Sequence, residues 1–115
     1  MRITAYAFGR LEIDGTVFRR DLTIAAGRVA CPWWRSAGSH LFAPEDLGEV
    51  IAAAPEVVVL GTGYFGRARV AEAALGALRA AGCEVIVERT GRAVKEFNRL
   101  LDERREVAAA LHLTC

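Results

Sequence analysis

The first third of the chain consists of short runs of strand-forming residues, and Leu11 and Ile13 alternate with polar neighbours at the period of two that is typical of β-strands. Turn residues separate four strand-forming runs: Ile3 to Phe8, Leu11 to Ile13, Val17 to Ile24 and Arg28 to Cys31. The pair Asp14-Gly15 is one of the stronger short signals for a hairpin. The pattern predicts an N-terminal β-meander over about residues 1–31.

From Pro44 onward the apolar spacing becomes helical. Four apolar residues recur at the i, i+3, i+4, i+7 spacing of one helix face: Leu47, Val50, Ile51 and Ala54. This helix ends at Pro55, and two more are predicted from about Val70 to Ala81 and from about Arg92 to Arg105. Three apolar runs between and after the helices predict strands, the first two of them buried: Val57–Leu60, Cys83–Val87 and Val107–Leu113.

Short connections between these elements favour right-handed crossovers and mainly parallel strands, and they leave open whether the last strand inserts parallel or antiparallel to its neighbours. We therefore expect one α/β domain over residues 1–115, with a βαβαβ unit over about 44–115. Its predicted architecture has three layers: a central, mixed and mostly parallel sheet, helices packed against it, and the added N-terminal β-meander.

Composition narrows the functional class. The 115 residues are 53% hydrophobic, which is enough for a self-sufficient core, and they carry a net charge of +1. That charge excludes the strongly basic surface of a non-specific nucleic-acid-binding protein. No apolar run approaches the ~20 residues that span a bilayer, and no signal pattern precedes the first strand. We expect a cytoplasmic protein without nucleic-acid or membrane partners.

A glycine motif lies between a predicted buried strand and a predicted helix. The segment Gly61–Gly66 matches G-x-G-x-x-G, and Glu88 follows where dinucleotide-binding proteins place a ribose-binding carboxylate. However, the helical pattern begins only near Val70, two arginines lengthen the turn, and too little chain remains for a second nucleotide-binding half. We therefore expect no cofactor and interpret Gly61 and Gly63 as residues that supply positive φ at a sharp turn.

A less specific anion site remains open at the same edge, because ligands gather outside the carboxyl ends of parallel strands. The candidate residues are Gly61, Thr62, Gly63, Thr90, Arg92 and Asn98. They would offer backbone N–H groups, two hydroxyls, a guanidinium and a supporting amide. The competing interpretation makes Thr90 the N-cap of the third helix and Arg92 a solvated charge. Asn98 is then an amide that holds a loop through backbone hydrogen bonds, or a half-exposed surface residue.

Metal and catalytic sites find little support. The residues that could bind a metal are Cys31, Cys83, Cys115, His40 and His112. They contain no C-x-x-C pair, three separated cysteines do not make a disulfide framework, and Cys83 suits the core. Asp21 interrupts a strand and is either a functional carboxylate or, as is more common, a turn-stabilising or salt-bridged one. We expect no metal and assign no catalytic residue.

Trp33-Trp34-Arg35 follows Pro32 in a predicted loop. Adjacent side chains point in different directions, so one tryptophan should pack into the core while the other is partly exposed. An exposed tryptophan beside an arginine is typical of the energetic centre of a protein interface. These three residues are therefore the candidate protein-contact surface.

The chain resembles one small domain family in residues that run through most of its length. They are Gly9, Asp14-Gly15, Trp34-Arg35, His40, Gly61, Gly63, Thr90, Ala93–Asn98, Leu100, Val107 and His112–Cys115. The family includes the adipogenesis-associated domain-containing protein and a mitochondrial respiratory complex I assembly factor. The chain departs from the family at Phe97, where tyrosine is usual, and at Arg104, where glycine is frequent.

This resemblance implies a three-layer α/β fold with a mixed sheet. It supplies no established catalytic residue, whereas the mitochondrial relatives act through protein partners. Our first hypothesis is therefore a non-enzymatic protein-interaction or assembly module, with a possible homo-oligomer among its assemblies. The alternative is a small-molecule or anion-binding enzyme that uses the loops at Gly61–Gly63 and Thr90–Arg92.

Overall fold

The structure is a computed structural model that describes residues 1–115. Its strands are β1 Ile3–Ala7, β2 Arg10–Ile13, β3 Thr16–Phe18, β4 Leu22–Ala25, β5 Arg28–Ala30, β6 Leu41–Phe42, β7 Val57–Thr62, β8 Arg69–Val70, β9 Glu84–Glu88 and β10 Val107–His112. Its helices are α1 Gly48–Ala52, α2 Glu72–Ala80 and α3 Thr90–Asp102, and a 3-10 helix, Pro44–Leu47, directly precedes α1.

A five-stranded sheet in the order β5-β4-β10-β7-β9 forms the centre of the molecule. The chain's last strand, β10, lies parallel to β7 and antiparallel to β4, and β9 lies parallel to β7 on its other side. All six residues of β7 are buried, because neighbouring strands flank it and apolar layers cover both of its faces. The carboxyl ends of β7, β9 and β10 therefore meet at one edge.

Two apolar clusters cover the two faces of this sheet. Val57 and Val59 face one cluster, which also contains the buried side of α3 and apolar residues of β1 and β2. Val58 and Leu60 face the other, which contains residues of the 3-10 helix, α1 and α2. Successive residues of β7 face opposite clusters because side chains alternate between the two faces of a strand. The α/β class predicted from the sequence, with helices on a mixed sheet, is confirmed, and a separate three-stranded sheet in the order β1-β2-β3 forms the added N-terminal layer. The central sheet is not mostly parallel, because two of its four strand pairings are antiparallel. The predicted meander over residues 1–31 is divided, because β4 and β5 belong to the central sheet.

Several element boundaries differ from the sequence-based prediction. The run Val17–Ile24 is two strands in two different sheets: β3 pairs with β2, whereas β4 pairs with β10. The helix predicted from Val70 begins at Glu72, because Arg69–Val70 pairs with Leu41–Phe42 as a short parallel ladder. In each case, pairing with a distant segment overrides the local pattern.

The strand predicted at Cys83–Val87 is the edge strand β9 and not a strand buried on both faces. Val85 and Ile86 are partly buried against the core, but Val87 is 43% exposed because no further strand flanks it. Cys83 precedes the strand and is buried, as expected for a small core residue. The third helix begins at Thr90 instead of Arg92.

Candidate functional site

The glycine turn after β7 is closed by its own hydrogen bonds. The Gly63 N–H donates to Thr90 Oγ1 (2.8 Å), the Thr90 N–H donates to the Gly63 carbonyl (3.1 Å), and the Thr90 hydroxyl donates to the His112 carbonyl (2.5 Å). The Thr62 hydroxyl donates to the Glu88 carbonyl at 3.1 Å. The structure thus brings these predicted anion-binding residues together, but their polar groups join β7, β10 and α3 to one another.

The two glycines of this turn are required for different reasons. Gly63 has a φ of +109°, and a Cβ there would lie 2.5 Å from the Cys115 carbonyl carbon. Gly61 is an ordinary strand residue, so its predicted positive φ is wrong. It must be glycine because a Cβ would lie 2.8 Å from Thr90 Oγ1 and 2.9 Å from Leu111 Cδ2. The motif therefore serves close packing between strands and helix, together with two turn residues of positive φ, Gly63 and Gly66 (+71°).

The remaining predicted anion-binding residues lie apart from the turn. Arg92 is exposed on α3, where its Nε lies 3.5 Å from the Glu88 carboxylate. Asn98, further along α3, accepts the Ile3 N–H (3.0 Å) and donates to the Ile3 carbonyl (2.7 Å). Asn98 therefore holds β1 against α3. Thr90 is not the helix N-cap, because Arg89 occupies that position and the Thr90 hydroxyl is bonded elsewhere.

A cavity of about 510 Å³ opens beside the first turn of α3. Its lining is aromatic and basic: Tyr6, Tyr64, Arg89, Gly91, Arg92, Val94 and Lys95. The Tyr6 hydroxyl donates to the Leu113 carbonyl at 3.0 Å. Burial raises the pKa of Tyr6 to about 12, so the phenol brings no negative charge to the cavity at neutral pH.

Three aromatic side chains form an exposed cluster at the neighbouring sheet edge, and we call Phe8, Tyr64 and Phe65 the aromatic surface. Their exposed fractions are 49%, 47% and 53%. The ring centroids lie 5.0 Å apart for Tyr64 and Phe65, 5.8 Å for Phe8 and Tyr64, and 6.1 Å for Phe8 and Phe65. These separations are those of interacting aromatic pairs.

Two turn tips present the aromatic surface. Phe8 lies in the turn between β1 and β2, and Tyr64-Phe65 lies in a turn closed by a hydrogen bond from the Gly66 N–H to the Gly63 carbonyl (3.2 Å). The segment Leu113–Cys115 joins the two turns. Its carbonyls accept the N–H groups of Gly9 (2.9 Å), Tyr64 (2.6 Å) and Arg67 (2.9 Å).

Sequence reasoning missed this surface, although a signal was present. The central positions of a tight turn are usually occupied by glycine, proline, asparagine, aspartate or serine. Here two aromatic residues stand between Gly63 and Gly66. A large apolar side chain at such a position cannot reach the core from the tip of a turn, and this indicates an exposed role.

The predicted contact residues Trp33, Trp34 and Arg35 do not share one surface. Trp33 is only 8% exposed, donates from Nε1 to the Asp46 carbonyl (2.9 Å), and packs against Phe42. The Arg35 side chain is buried, with its guanidinium 4.4 Å from the centroid of the Trp33 ring. Only Trp34 is available for contact, at 72% exposure. The prediction that one tryptophan packs into the core is confirmed by Trp33, whereas a contact surface that includes Trp33 and the Arg35 side chain is not, because both side chains are buried.

A buried polar cluster formed by Asp21, Arg35 and His112 accounts for the carboxylate that interrupts the strand pattern. Asp21 Oδ2 pairs with the Arg35 guanidinium and lies 2.7 Å from His112 Nδ1, while Oδ1 accepts the Leu113 N–H (2.8 Å). Burial by itself would raise the pKa of the Asp21 carboxyl. The hydrogen bonds from His112, the Leu113 N–H and Arg35 outweigh that effect and hold the pKa below its usual value. Asp21 is thus a salt-bridged structural residue.

Cysteine and histidine residues do not converge on a common point. Cys31, Cys83 and Cys115 are unpaired, and no group of three or more histidine, cysteine or acidic side chains is arranged to hold a metal ion. His112 directs Nδ1 to Asp21, and its ring lies edge to face with that of His40 at 5.4 Å. No helix has the length and apolar character needed to cross a bilayer.

The fold defines a small mixed α/β domain that has solved counterparts. The chain is similar to conserved hypothetical protein PH1505 from Pyrococcus horikoshii OT3, with 28% identity, a TM-score of 0.82 and coverage of 100% of both chains. It is also similar to a protein designated MT938 (26% identity, TM-score 0.84, covering 99% and 98% of the two chains). A Mth938-like domain protein from Bordetella pertussis shares 26% identity with a TM-score of 0.74, covering 97% of this chain and 85% of that one.

The family model described as protein of unknown function (DUF498/DUF598) matches residues 3–112. The chain therefore belongs to this family. The resemblance inferred from the sequence is confirmed as a resemblance to a small, uncharacterised domain family. The descriptions of this family and of these three proteins name no reaction.

Proposed function

We propose that this protein is a non-enzymatic interaction module that binds a protein partner through the aromatic surface. The observation that carries this proposal is the placement of three aromatic rings, each about half exposed, at the tips of two adjoining turns. Burial against a partner would remove their remaining apolar area from water, which favours association. Aromatic side chains are also enriched among the residues that dominate binding energy at interfaces.

The rigidity of these turns supports the same function. Tyr64 is fixed by its backbone bond to Thr114 and by the turn that closes on Gly66, and Phe8 precedes Gly9, which is bonded to Leu113. A contact surface that is already ordered loses little conformational entropy when a partner binds. This arrangement suits recognition better than catalysis, because no acid–base pair accompanies the rings.

The resemblance to an adipogenesis-associated protein and a complex I assembly factor agrees with this proposal, since the mitochondrial relatives act through partner proteins. We place the module in the cytoplasm, with another protein as its partner. A second copy of the chain is the simplest other occupant of the surface. The exposed Trp34, which lies 5.6 Å from the Arg20 guanidinium, offers a separate and smaller contact.

The alternative function, an anion-binding enzyme built on the loops at Gly61–Gly63 and Thr90–Arg92, has weaker support. The Gly63 and Thr90 N–H groups and both threonine hydroxyls are bonded within the chain. An anion at the turn would have to displace these bonds. The geometry therefore favours the interaction module.

Site-specific photo-crosslinking in cell extract tests the proposal. A photoreactive phenylalanine analogue replaces Phe65 in one sample and Arg79, an exposed residue of α2, in the control. We expect a discrete protein adduct from position 65 and none from position 79, with mass spectrometry identifying the captured chain. No adduct from position 65, or the same adducts from both positions, would contradict the proposal.

A further inference from the structure

The cavity beside α3 has features that the proposed protein contact does not use. Its volume of about 510 Å³ lies within the range of about 300–1,000 Å³ found for small-molecule sites. Tyr6 and Tyr64 form an aromatic wall, with ring centroids 6.2 Å apart and planes inclined by 41°. Two rings at this inclination offer one face each, and a planar ligand can stack on one of them.

The charges around the cavity are strongly one-sided. Three cationic side chains line it, Arg89, Arg92 and Lys95, and no acidic residue does. Arg92 forms a salt bridge with Glu88, with 3.5 Å between Nε and the carboxylate, whereas Arg89 and Lys95 form no salt bridge. The three cations together with Glu88 carry a net charge of +2. This charge is complementary to that of a phosphate dianion.

One residue without a side chain borders the cavity. Gly91 lies on the first turn of α3 with ordinary helical backbone, and a Cβ built there would meet only the Tyr6 ring, at 3.9 Å. Glycine places no side chain against the Tyr6 ring from the helix. Its presence at this position keeps the floor of the cavity open between α3 and Tyr6.

From these observations we infer that the cavity binds a small molecule that joins a planar aromatic ring to a phosphate group, and a nucleoside monophosphate is the class that fits. The ring stacks against Tyr6 or Tyr64, and the phosphate lies among Arg89, Arg92 and Lys95. Recognition by stacking and charge tolerates different bases. The site differs from the glycine turn, whose N–H groups are already bonded, and it shares only Tyr64 with the aromatic surface.

Calorimetric titration of the full chain tests this site with four ribonucleoside monophosphates, with adenosine alone and with inorganic phosphate alone. We expect at least one nucleotide to bind with a Kd below about 1 mM. Adenosine and phosphate should each bind at least about tenfold more weakly, since each supplies only half of the contacts. No nucleotide binding below about 1 mM, or phosphate binding as tightly as the nucleotides, would overturn the inference.

Two variants and two matched controls locate the site. Lys95→Gln removes a cation, and Gly91→Leu fills the cavity from a helical position that tolerates a side chain. We expect each to weaken nucleotide binding by about tenfold. On α2, Arg79→Gln also removes one cation and Gly76→Leu is the same glycine-to-leucine change, both at exposed helical positions, and both should leave binding unchanged. Circular dichroism confirms that each variant is folded. If a folded site variant bound the nucleotide as tightly as its control, the assignment would be contradicted. One folded site variant is enough for this test.

Discussion

At the scale of single residues, the buried cluster of Asp21, Arg35 and His112 ties three distant parts of the chain together. The Arg35 and His112 side chains are 3% and 2% exposed, and Asp21 is 16% exposed. An arginine buried to this extent needs a carboxylate partner, because an uncompensated buried charge is strongly unfavourable. Asp21 provides it and also fixes the Leu113 N–H.

We predict that Asp21→Asn lowers the free energy of unfolding by about 3–5 kcal/mol at pH 7, since it leaves Arg35 without its counter-ion. The pKa of Asp21 is lowered in the folded protein, so its ionised form is the one that folding stabilises. That stabilisation is fully present above the carboxyl's ordinary pKa and is lost as the pH falls through the lowered value. The difference in the free energy of unfolding between wild type and Asp21→Asn should therefore become smaller in acid. Urea unfolding at neutral pH and at a pH well below 4 measures this difference.

Asp102→Asn is the matched control for this prediction. Asp102 also pairs with an arginine, Arg2, at 2.5 Å, but both side chains are more than half exposed. Because exposed ion pairs contribute about 0–1 kcal/mol, its loss should be small at every pH. Equal destabilisation by both substitutions would show that burial of the Asp21 cluster has no energetic consequence.

Gly63 offers a second residue-scale prediction, in which Gly15 is the control. Both glycines have positive φ, +109° and +86°, but a Cβ at Gly63 would collide with the backbone of Cys115, whereas a Cβ at Gly15 meets nothing within 4 Å. Gly15→Ala should cost about 1–2 kcal/mol, which is the penalty of the left-handed conformation alone. Gly63→Ala should cost about 2–5 kcal/mol, because overpacking adds about 1–3 kcal/mol to the same conformational penalty. Thermal unfolding of the two variants measures the difference, and equal losses would contradict the packing role.

At this scale, the role of a residue could be predicted from the sequence only where its partners lie close to it along the chain. The need for glycine at position 63 could be predicted from the motif, because a strand that turns sharply favours positive φ. The partners of Asp21 could not, since Asp21 and His112 are separated by 91 positions. The burial of the Arg35 side chain could not be predicted either, because an arginine beside two tryptophans is also typical of an exposed protein-contact surface.

At the scale of elements, α3 joins the central sheet to the N-terminal sheet. Its apolar face packs on β7 and β10, and Asn98 on the same helix makes two hydrogen bonds with the backbone of Ile3 in β1. Ile3 is also paired across the small sheet with Ile13. One polar side chain thus holds the β1–β2–β3 layer in register with the helix.

We predict that Asn98→Ala loosens this layer without unfolding the central sheet. Two backbone groups of Ile3 lose their partners, which costs about 1–3 kcal/mol. Amide hydrogens of β1 and β2 should exchange about tenfold faster, while those of β7 and β10 keep their protection. Hydrogen exchange followed by mass spectrometry measures both regions.

Arg99→Ala, at the next position of α3, is the control. Arg99 is about half exposed and pairs only with Glu96 on its own helix and with Glu103, the residue that directly follows the helix. It should change the exchange of β1 and β2 very little. If Asn98→Ala accelerated exchange evenly across the whole molecule, the layer would not open as a separate unit.

The existence of most elements could be predicted from periodicity, whereas their ends could not. Helix α3 starts two residues before its predicted beginning because Thr90 is held by β7 and β10, a contact that local periodicity does not reveal. The predicted strand over Val17–Ile24 is divided because Asp21 faces His112 and Arg35. Long-range partners decided both boundaries.

At the scale of the whole molecule, the position of β10 determines where the aromatic surface lies. This last strand enters between β4 and β7, and the segment that follows it passes the carboxyl end of β7. There it accepts hydrogen bonds from both the Phe8–Gly9 turn and the Tyr64-Phe65 turn. The sequence predicted a last strand but left its place in the sheet open, so the meeting of the two turns could not be foreseen.

The most direct measurement of the central claim is the affinity of the partner captured through position 65, determined by calorimetric titration. We predict that Phe8→Ser/Phe65→Ser weakens binding by at least about tenfold, since burying the exposed half of each ring would contribute about half of the ~1.5–3 kcal/mol that full burial of a phenylalanine provides. Trp34→Ser, at the exposed tryptophan outside the cluster, should leave the affinity within about twofold of wild type. Unchanged binding by the folded double variant, or a loss confined to Trp34→Ser, would contradict a contact made by the aromatic surface.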